Sequence, residues 1–187
     1  FAAQLTQKLQ GILRDKKAVA DRRFRSALTL AEYIPVTDES AWTEQDLQFV
    51  ARQLVGANAE FQPLLREYLR PIRLRLLSDL ETIYADPEAS DGQRLSAANA
   101  FADYAASDIP KLSRLLTVAN PEQYGVLYPI VASSIAPATM DDLAQLAATL
   151  PPEELGSVER VQHGQKRASA AVTLLRLGER EKVLPVF

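Results

Sequence analysis

The sequence predicts an all-α protein built from repeated helix pairs. One eleven-residue phrase occurs three times, at 23–33, 94–104 and 167–177, with offsets of 71 and 73 residues. Each copy begins with an arginine and continues with small and aliphatic residues at helical spacing. Period-two alternation bounded by hairpin turns is hard to find. Such a recurring helical phrase is typical of repeat proteins, in which units bury their apolar faces by stacking on neighbours.

The repeated phrase carries a narrow apolar stripe. Its residues fall at i, i+3, i+4 and i+7, and they are Ala27, Leu30, Ala31 and Ile34 in the first copy and Ala98, Phe101, Ala102 and Ala105 in the second. Because many of them are alanines, a neighbouring helix is expected to approach closely.

Helix starts and stops can be placed along most of the chain. Capping-box-like starts stand at Thr43 and Thr139, and a first-turn proline is tolerated at 110, 121 and 152. Stops are expected at Gly56, at Gly178 and in the loops at 86–87 and 151–152. The predicted helices are 3–14, 18–34, 44–57, 60–84, 91–105, 109–119, 121–134, 139–150, 153–162, 164–178 and 179–187.

Two predicted helices contain an interior proline, Pro71 in 60–84 and Pro129 in 121–134. Each is expected to kink or break its helix, because the ring clashes with the preceding turn and removes a hydrogen bond. The material between the phrases repeats too, since Phe61 and Tyr124 occupy similar contexts 63 residues apart. We therefore interpret the 71-residue unit as two helix pairs of about 35 residues each.

The phrase that starts at Asp21 and Arg22 resembles the second helix of HEAT and armadillo-like repeats. In those repeats an Asp at the turn and an Arg early in the helix precede small and aliphatic core residues, and Asp91 with Arg94 fits again. The third copy has Gln162-His163-Gly164 where the acidic residue is expected. The resemblance implies a HEAT-like α-solenoid, a right-handed superhelix of stacked helix pairs. It implies one repeat domain over 1–187, with units at about 18–90, 91–163 and 164–187.

A narrower resemblance lies in 164–178 and the Glu181-Lys182-Val183 that follows. This stretch is similar to helical-repeat segments of large bacterial proteins that also carry serine/threonine-kinase-like or formylglycine-generating-enzyme-like domains. The resemblance implies a non-catalytic spacer or regulatory segment. The chain also lacks an initiator Met, so we expect a piece of a longer protein.

Composition narrows the function classes. The 187 residues, 47% hydrophobic and 24% charged, are ordinary for a globular domain. The absence of cysteine excludes disulfides and thiolate sites, and no apolar run is long enough for a membrane span. The cytoplasm is the default compartment. The net charge of −3 divides into +3 over 1–75 and −6 over 76–187.

No catalytic constellation is visible, so an enzyme is not expected. The single histidine, His163, is predicted in an exposed turn rather than in a triad or metal site. The acidic pairs at 38–39, 141–142 and 153–154 are expected to cap helix starts. The seven glycines form no phosphate-binding motif, so no cofactor and no small-molecule substrate are expected.

Candidate contact residues are basic and aromatic. Arg66, Arg70 and Arg73 share one helix face if Pro71 only kinks the helix, and such a row could engage acidic side chains or phosphates. A second basic cluster comprises Arg14, Lys16, Lys17, Arg22, Arg23 and Arg25. The alternative for both is an ordinary solvated face, and the acidic pI disfavours nucleic acid.

Five aromatic residues recur at equivalent repeat positions, and we expect them in the core or in packing between repeats rather than around a ligand: Tyr33, Tyr104, Phe61, Tyr124 and Phe101. Trp42, before the Thr43 cap, is either a hydrophobic staple or an exposed anchor. The sequence thus predicts a non-catalytic scaffold that binds another protein or another domain of its own chain. Alternatives are a spacer in a multidomain enzyme, a nucleic-acid-binding solenoid, or a helical enzyme with an unseen site.

Overall fold

The computed structural model describes residues 2–34, 41–152 and 154–183, and in these residues it contains α-helices and short 3-10 turns but no strand. The all-α prediction is confirmed. The α-helices are α1 (Ala2–Arg14), α2 (Ala20–Tyr33), α3 (Glu44–Gly56), α4 (Gln62–Leu69), α5 (Arg73–Ala85), α6 (Asp91–Tyr104), α7 (Ile109–Leu116), α8 (Pro121–Ser134), α9 (Pro137–Ala148) and α10 (Ser157–Arg176).

The chain divides into two compact units, Phe1–Tyr104 and Ala105–Phe187. In the first unit, α1 packs on α2 and α5 packs on α6, while α3 contacts both α5 and α6 and α4 contacts α2. The core of this unit is aliphatic with one aromatic pair, in which the rings of Tyr84 and Phe101 meet edge to face at 5.9 Å.

The second unit is built from two helix pairs. Helix α7 packs on α8, α9 packs on α10, and α7 contacts both α9 and α10. Leu143, Ala147, Ala170 and Leu174 form a buried cluster between α9 and α10. The small side chains at 147 and 170 let these two helices approach closely.

The three copies of the repeated phrase lie in α2, α6 and α10, four helices apart each time. The fourth, fifth and eighth residues of every copy are buried, and they are Ser26, Ala27 and Leu30, then Ala97, Ala98 and Phe101, then Ala170, Ala171 and Leu174. The repetition of the sequence is therefore a repetition of the buried helix face.

The arginine that opens each copy makes the same contact in all three places. Its Nε donates a hydrogen bond to a carbonyl oxygen near the end of the preceding helix, at 2.8 Å from Arg23 to Leu13, 3.3 Å from Arg94 to Tyr84 and 2.9 Å from Arg167 to Ala147. The accepting residue is the penultimate one of its helix in each case. Because the last carbonyls of a helix lack intrahelical partners, this cation caps the helix end and interacts favourably with its dipole.

The two interior prolines behave differently. At Pro71 the helix breaks, since α4 ends at Leu69 and a 3-10 turn over Arg70–Ile72 leads into α5. At Pro129 the helix continues over Pro121–Ser134 without a break. Leu69 and Ile72, which lie on either side of Pro71, are both buried. The chain is therefore held in the core of the first unit before and after the break.

The predicted helix starts agree with the structure where a side chain forms the N-cap. Thr43 accepts from the amide of Asp46 at 3.2 Å, and the Asp46 carboxylate accepts from the Thr43 amide at 3.0 Å, as predicted. Thr139 is not a cap, because α9 already begins at Pro137. Asp141 and Asp142 consequently lie beyond the first turn, and the expectation that they cap this helix is wrong. Residues 38, 39 and 153 lie outside the described residues.

The last helix differs most from the expectation. Residues 157–176 form one twenty-residue helix, α10, where the sequence predicts two helices divided before Gly164, and Pro152 precedes its start. His163 is therefore in a helix and half-buried, not in an exposed turn. The predicted stop at Gly178 is confirmed: its φ is 87°, and the amides of 178 and 179 donate to the carbonyls of Leu175 and Leu174 at 3.1 and 3.0 Å. This is a Schellman motif, which favours glycine.

Candidate functional site

The predicted basic row is engaged by carboxylates of its own unit. The Asp103 carboxylate, on α6, accepts from Arg66 Nε at 3.3 Å and from an Arg70 terminal nitrogen at 2.8 Å. Arg70 also donates to Glu67 at 2.8 Å. The hydrogen bond to Glu67, followed by that to Asp103, raises the pKa of the Arg70 guanidinium. One carboxylate thus joins Arg66 of α4 and Arg70 of the following 3-10 turn to α6.

Arg73 does not extend this arrangement, because the break at Pro71 separates it from α4. Its guanidinium donates to the Arg70 carbonyl oxygen at 3.1 Å. The Tyr104 hydroxyl donates to the Arg66 carbonyl oxygen at 2.9 Å, which adds a second link between α4 and α6. The three arginines therefore serve contacts within the first unit, and a partner role for them stays a prediction.

Trp42 lies in the core, where it is 4% exposed. Its carbonyl oxygen accepts from Arg75 at 3.2 Å, and its indole Nε1 has no hydrogen-bond partner among the described residues. Of the two alternatives for this residue, the structure fits the buried side chain and does not place the ring on the surface as an anchor. Its predicted role in partner binding has no exposed ring to support it.

The second basic cluster borders a cleft of about 860 Å³ at the start of α3, lined by Arg14, Lys16 and Arg23 among others. Arg14 pairs with the buried Asp46 at 3.0 Å. Arg23 lies 3.9 Å above the Phe49 ring in addition to its helix-end contact. Arg25 pairs with Asp21 on the same helix. Three of the six cluster residues, Arg14, Arg23 and Arg25, are thus used structurally, and the exposed Lys16 is the remaining cluster residue that lines the cleft.

The repeat aromatics divide between core and surface. Phe101 and Tyr104 are buried, as expected. Tyr33 and Phe61 are 63% and 57% exposed, so neither lies in the core. Burial raises the pKa values of Tyr84 and Tyr104.

No group of three or more potential metal ligands occurs in the described part of the chain. The Nδ1 atom of His163 is buried and has no hydrogen-bond partner there. Since His163 lies in the middle of α10, the side chains beside it come from the same helix and its packing partners.

An apolar surface that the sequence reading missed runs along α10. Val158, Val161, Val172 and Leu175 are 68%, 60%, 47% and 46% exposed. Together with the exposed Gln165 and Ala168, they follow one another at steps of three, four, three, four and three residues. That spacing keeps all six on one side of the helix, in the a and d positions of a heptad pattern. We call these six residues the α10 stripe.

The stripe includes repeat positions that are covered in the first copy. The second and ninth residues of the phrase are Phe24 and Ala31 in α2, both buried, and the sixth, Leu28, is half-buried. Helix α4 packs on α2. Their counterparts in α10 are Ala168, Val172 and Leu175, all exposed. In α10, therefore, the face that a neighbouring helix covers in α2 is open.

A groove of about 380 Å³ adjoins the C-terminal half of the stripe, between α10 and the start of α8. The rings of Tyr124 and Tyr128 stack in parallel at 5.3 Å, and the Arg176 guanidinium lies 5.0 Å from the centre of the first ring and 5.7 Å from the second. The Tyr124 and Thr173 hydroxyl oxygens are 3.2 Å apart. Burial raises the pKa of Tyr124, so its phenol stays neutral at physiological pH. The groove is a mostly apolar trough with one cation at its edge.

Comparison with family models, with curated proteins and with solved structures finds no match for this chain. None of the described helices is both long and apolar enough to cross a bilayer. The case for a function therefore depends on the two units themselves.

Proposed function

We propose that this chain is a non-catalytic interaction scaffold of HEAT-like helix pairs, which binds another protein or another domain of its own chain. The single observation that carries the proposal is the α10 stripe. Two pairs of large apolar side chains, each about half exposed or more, lie on one side of α10 with Gln165 and Ala168 between the pairs, and the C-terminal part of the helix buries Ala170 and Leu174. Soluble proteins rarely leave such a line uncovered unless something binds it.

The HEAT-like solenoid, with its right-handed superhelix, is part of the proposal. It is supported by packing within each unit, where α3 lies on α5, α2 on α4 and α7 on α9, so that alternate helices stack. It is also supported by the arginine caps, which join consecutive helices in the same way in all three copies. In stacks of similar pairs, each unit buries an apolar face against its neighbour.

The stripe offers a useful amount of binding energy. Complete burial of one Val or Leu side chain contributes about 1.5–3 kcal/mol. For the four partly exposed side chains, a gross gain of about 4–6 kcal/mol is reasonable after scaling for their exposure. Association consumes much of this, so the stripe alone supports a weak complex, and the adjoining groove must add to it.

Photo-crosslinking tests the proposal. A benzoylphenylalanine is placed at Val161, and the same residue is placed at Leu74, which is 65% exposed in the first unit, as a matched control. After irradiation in source-cell lysate, mass spectrometry identifies the linked segments. We expect one discrete product from position 161 that disappears in a Val172→Glu background.

A product that forms equally well from both positions, or none from 161, contradicts the proposal. If the linked segment belongs to a longer form of the same polypeptide, the scaffold acts between domains as a spacer. If it belongs to another protein, the scaffold acts between chains.

A further inference from the structure

We propose that the α10 stripe and its groove bind an amphipathic helix that carries carboxylates beside its apolar face. The inference rests on the proposed function and names the chemical class of its partner. It follows from the spacing of the stripe, from the way the equivalent face is covered in the first unit, and from the charge of α10.

The geometry of the stripe fits a helix. From Val158 to Leu175 the line is about 26 Å long, since a helix rises about 1.5 Å per residue. The alternating three- and four-residue steps are those of a helix–helix seam, into which the side chains of a second helix interlock. An extended peptide lacks this period, because its side chains alternate from one face to the other.

The first unit supplies an internal precedent for the occupant. The eight-residue helix α4, with a buried Leu69, packs on α2, and Phe24 and Leu28 of the equivalent face line a pocket together with Leu65 of α4. Because α2 and α10 carry copies of the same phrase, the open face of α10 has the shape that receives a helix. The groove beside α8 then takes the edge of that helix.

The charge of α10 favours an acidic partner. The helix has four cationic side chains, Arg160, Lys166, Arg167 and Arg176, and one carboxylate, Glu159, so its net charge is +3 with His163 neutral. Glu159 is used at the helix start, where it accepts from the Gly156 amide at 3.0 Å. Glu159 lies about 25 Å from Arg176 along the helix, so it does not neutralise that guanidinium.

Arg176 is the charged group nearest to the stripe. Of the six positions that flank the seam, which are e and g in heptad notation, five hold the neutral residues Ser157, Gln162, Gly164, Ser169 and Ala171, and the sixth holds Arg176. Its guanidinium lies against the Tyr124 and Tyr128 rings and forms no ion pair within the described residues. A carboxylate on the partner helix would pair with the Arg176 guanidinium through a charge-assisted hydrogen bond.

The same charges argue against a second copy as the occupant. A second copy would offer its own Arg176, and no carboxylate, at the positions that flank the seam, so it could not pair with this guanidinium. An acidic helix supplies the opposite charge, which improves both the rate and the specificity of association.

Two synthetic peptides test the inference. Both have three heptads with Leu at the a and d positions, and they differ only in carrying Glu or Lys at the e and g positions. Binding to the whole chain is measured by fluorescence anisotropy. We expect the Glu peptide to bind about tenfold more tightly than the Lys peptide, with a preference that weakens as salt is raised.

Matched variants locate the site. Val161→Glu is expected to abolish binding of the Glu peptide, Arg176→Glu to reduce its preference over the Lys peptide about threefold or more, and Leu74→Glu to change nothing. Helicity measured by circular dichroism confirms that each variant is folded. Equal binding of both peptides, no binding of either, or no effect of Val161→Glu overturns the inference.

Sedimentation measurements test the remaining outcome, in which a second copy of this chain occupies the stripe. If the chain forms a dimer that Val172→Glu dissociates, the occupant is a second copy and the inference is wrong. Failure of the peptides alongside a specific photo-crosslink at position 161 overturns the acidic helix but leaves the scaffold standing. Failure of both experiments removes the scaffold too.

Discussion

Replacing Arg23 with methionine tests the contact that recurs in all three copies of the repeat. Methionine keeps an unbranched side chain of similar length and removes the cation. It deletes the 2.8 Å hydrogen bond from Nε to the Leu13 carbonyl oxygen and the contact 3.9 Å above the Phe49 ring. The neighbouring Arg22 is exposed and supplies the matched control Arg22→Met.

The expected cost follows from these two contacts. A hydrogen bond from a charged group contributes about 1.5–3 kcal/mol, and the half-buried position of Arg23 favours the lower part of that range. A cation over an aromatic ring at a partly exposed site adds about 0.5–1 kcal/mol. We therefore expect Arg23→Met to lower the free energy of unfolding of the first unit by about 2–3 kcal/mol, and Arg22→Met to change it by less than about 0.5 kcal/mol.

The chain carries a built-in reporter for this measurement. Trp42 is the single tryptophan and lies buried in the first unit, so its fluorescence in a urea titration follows that unit. A double-mutant cycle with Phe49→Leu isolates the contribution of the ring, for which we expect a coupling of about 0.5–1 kcal/mol. A loss below about 0.5 kcal/mol for Arg23→Met, matching the Arg22 control, would refute the helix-end cap as a stabilising contact.

Three further outcomes are expected. Burial raises the pKa of Tyr104 above its ordinary value of 10.0, so the unfolded chain releases this proton first and stability declines as pH rises above that value. Urea midpoints at pH 8 and 10.5 measure the decline, which Tyr104→Phe should reduce; an unchanged pH dependence contradicts it. Gly164→Ala should raise the free energy of unfolding of the second unit by about 1 kcal/mol, and its thermal midpoint with it, since an added Cβ meets no atom within 4 Å; a lower midpoint contradicts this. Asp103→Asn should lower the urea midpoint and strengthen retention on heparin, because Arg66 and Arg70 lose their shared carboxylate; unchanged retention would show that both arginines remain unavailable to polyanions.

The sequence predicts helix ends well where the contacts that stabilise them are between residues close in the chain. The Thr43 capping box and the Gly178 stop depend on residues close in sequence, and both predictions are confirmed. The division at Gly164 fails for a physical reason. A glycine inside a helix costs about 1 kcal/mol relative to alanine, which is less than α10 gains by burying Ala170 and Leu174 against α9.

The exposure and pairing of surface residues are harder to predict from the sequence, because they depend on contacts between residues far apart in the chain. The spacing of Arg66 and Arg70 is visible in the sequence, but Asp103 is 37 and 33 residues away and nothing local indicates the pairing. The α10 stripe had a readable signal, the alternating steps from Val158 to Leu175. The pattern runs across Gly164, so two of its positions fall in the predicted helix 153–162 and four in the predicted helix 164–178.

The arginine caps also determine which parts of the molecule open together. Each cap fastens the last turn of one helix to the next helix, near the start of that helix at Arg23 and Arg94 and in its middle at Arg167. When one of these helix ends frays, the arginine loses its acceptor and the following helix loses an anchor at that point. Amide protons at the end of α1 and at the beginning of α2 should therefore exchange with solvent through a single shared opening event, and the end of α9 should open together with the middle of α10. The pairs α1–α2, α5–α6 and α9–α10 are therefore expected to be the smallest cooperative unfolding units of the protein.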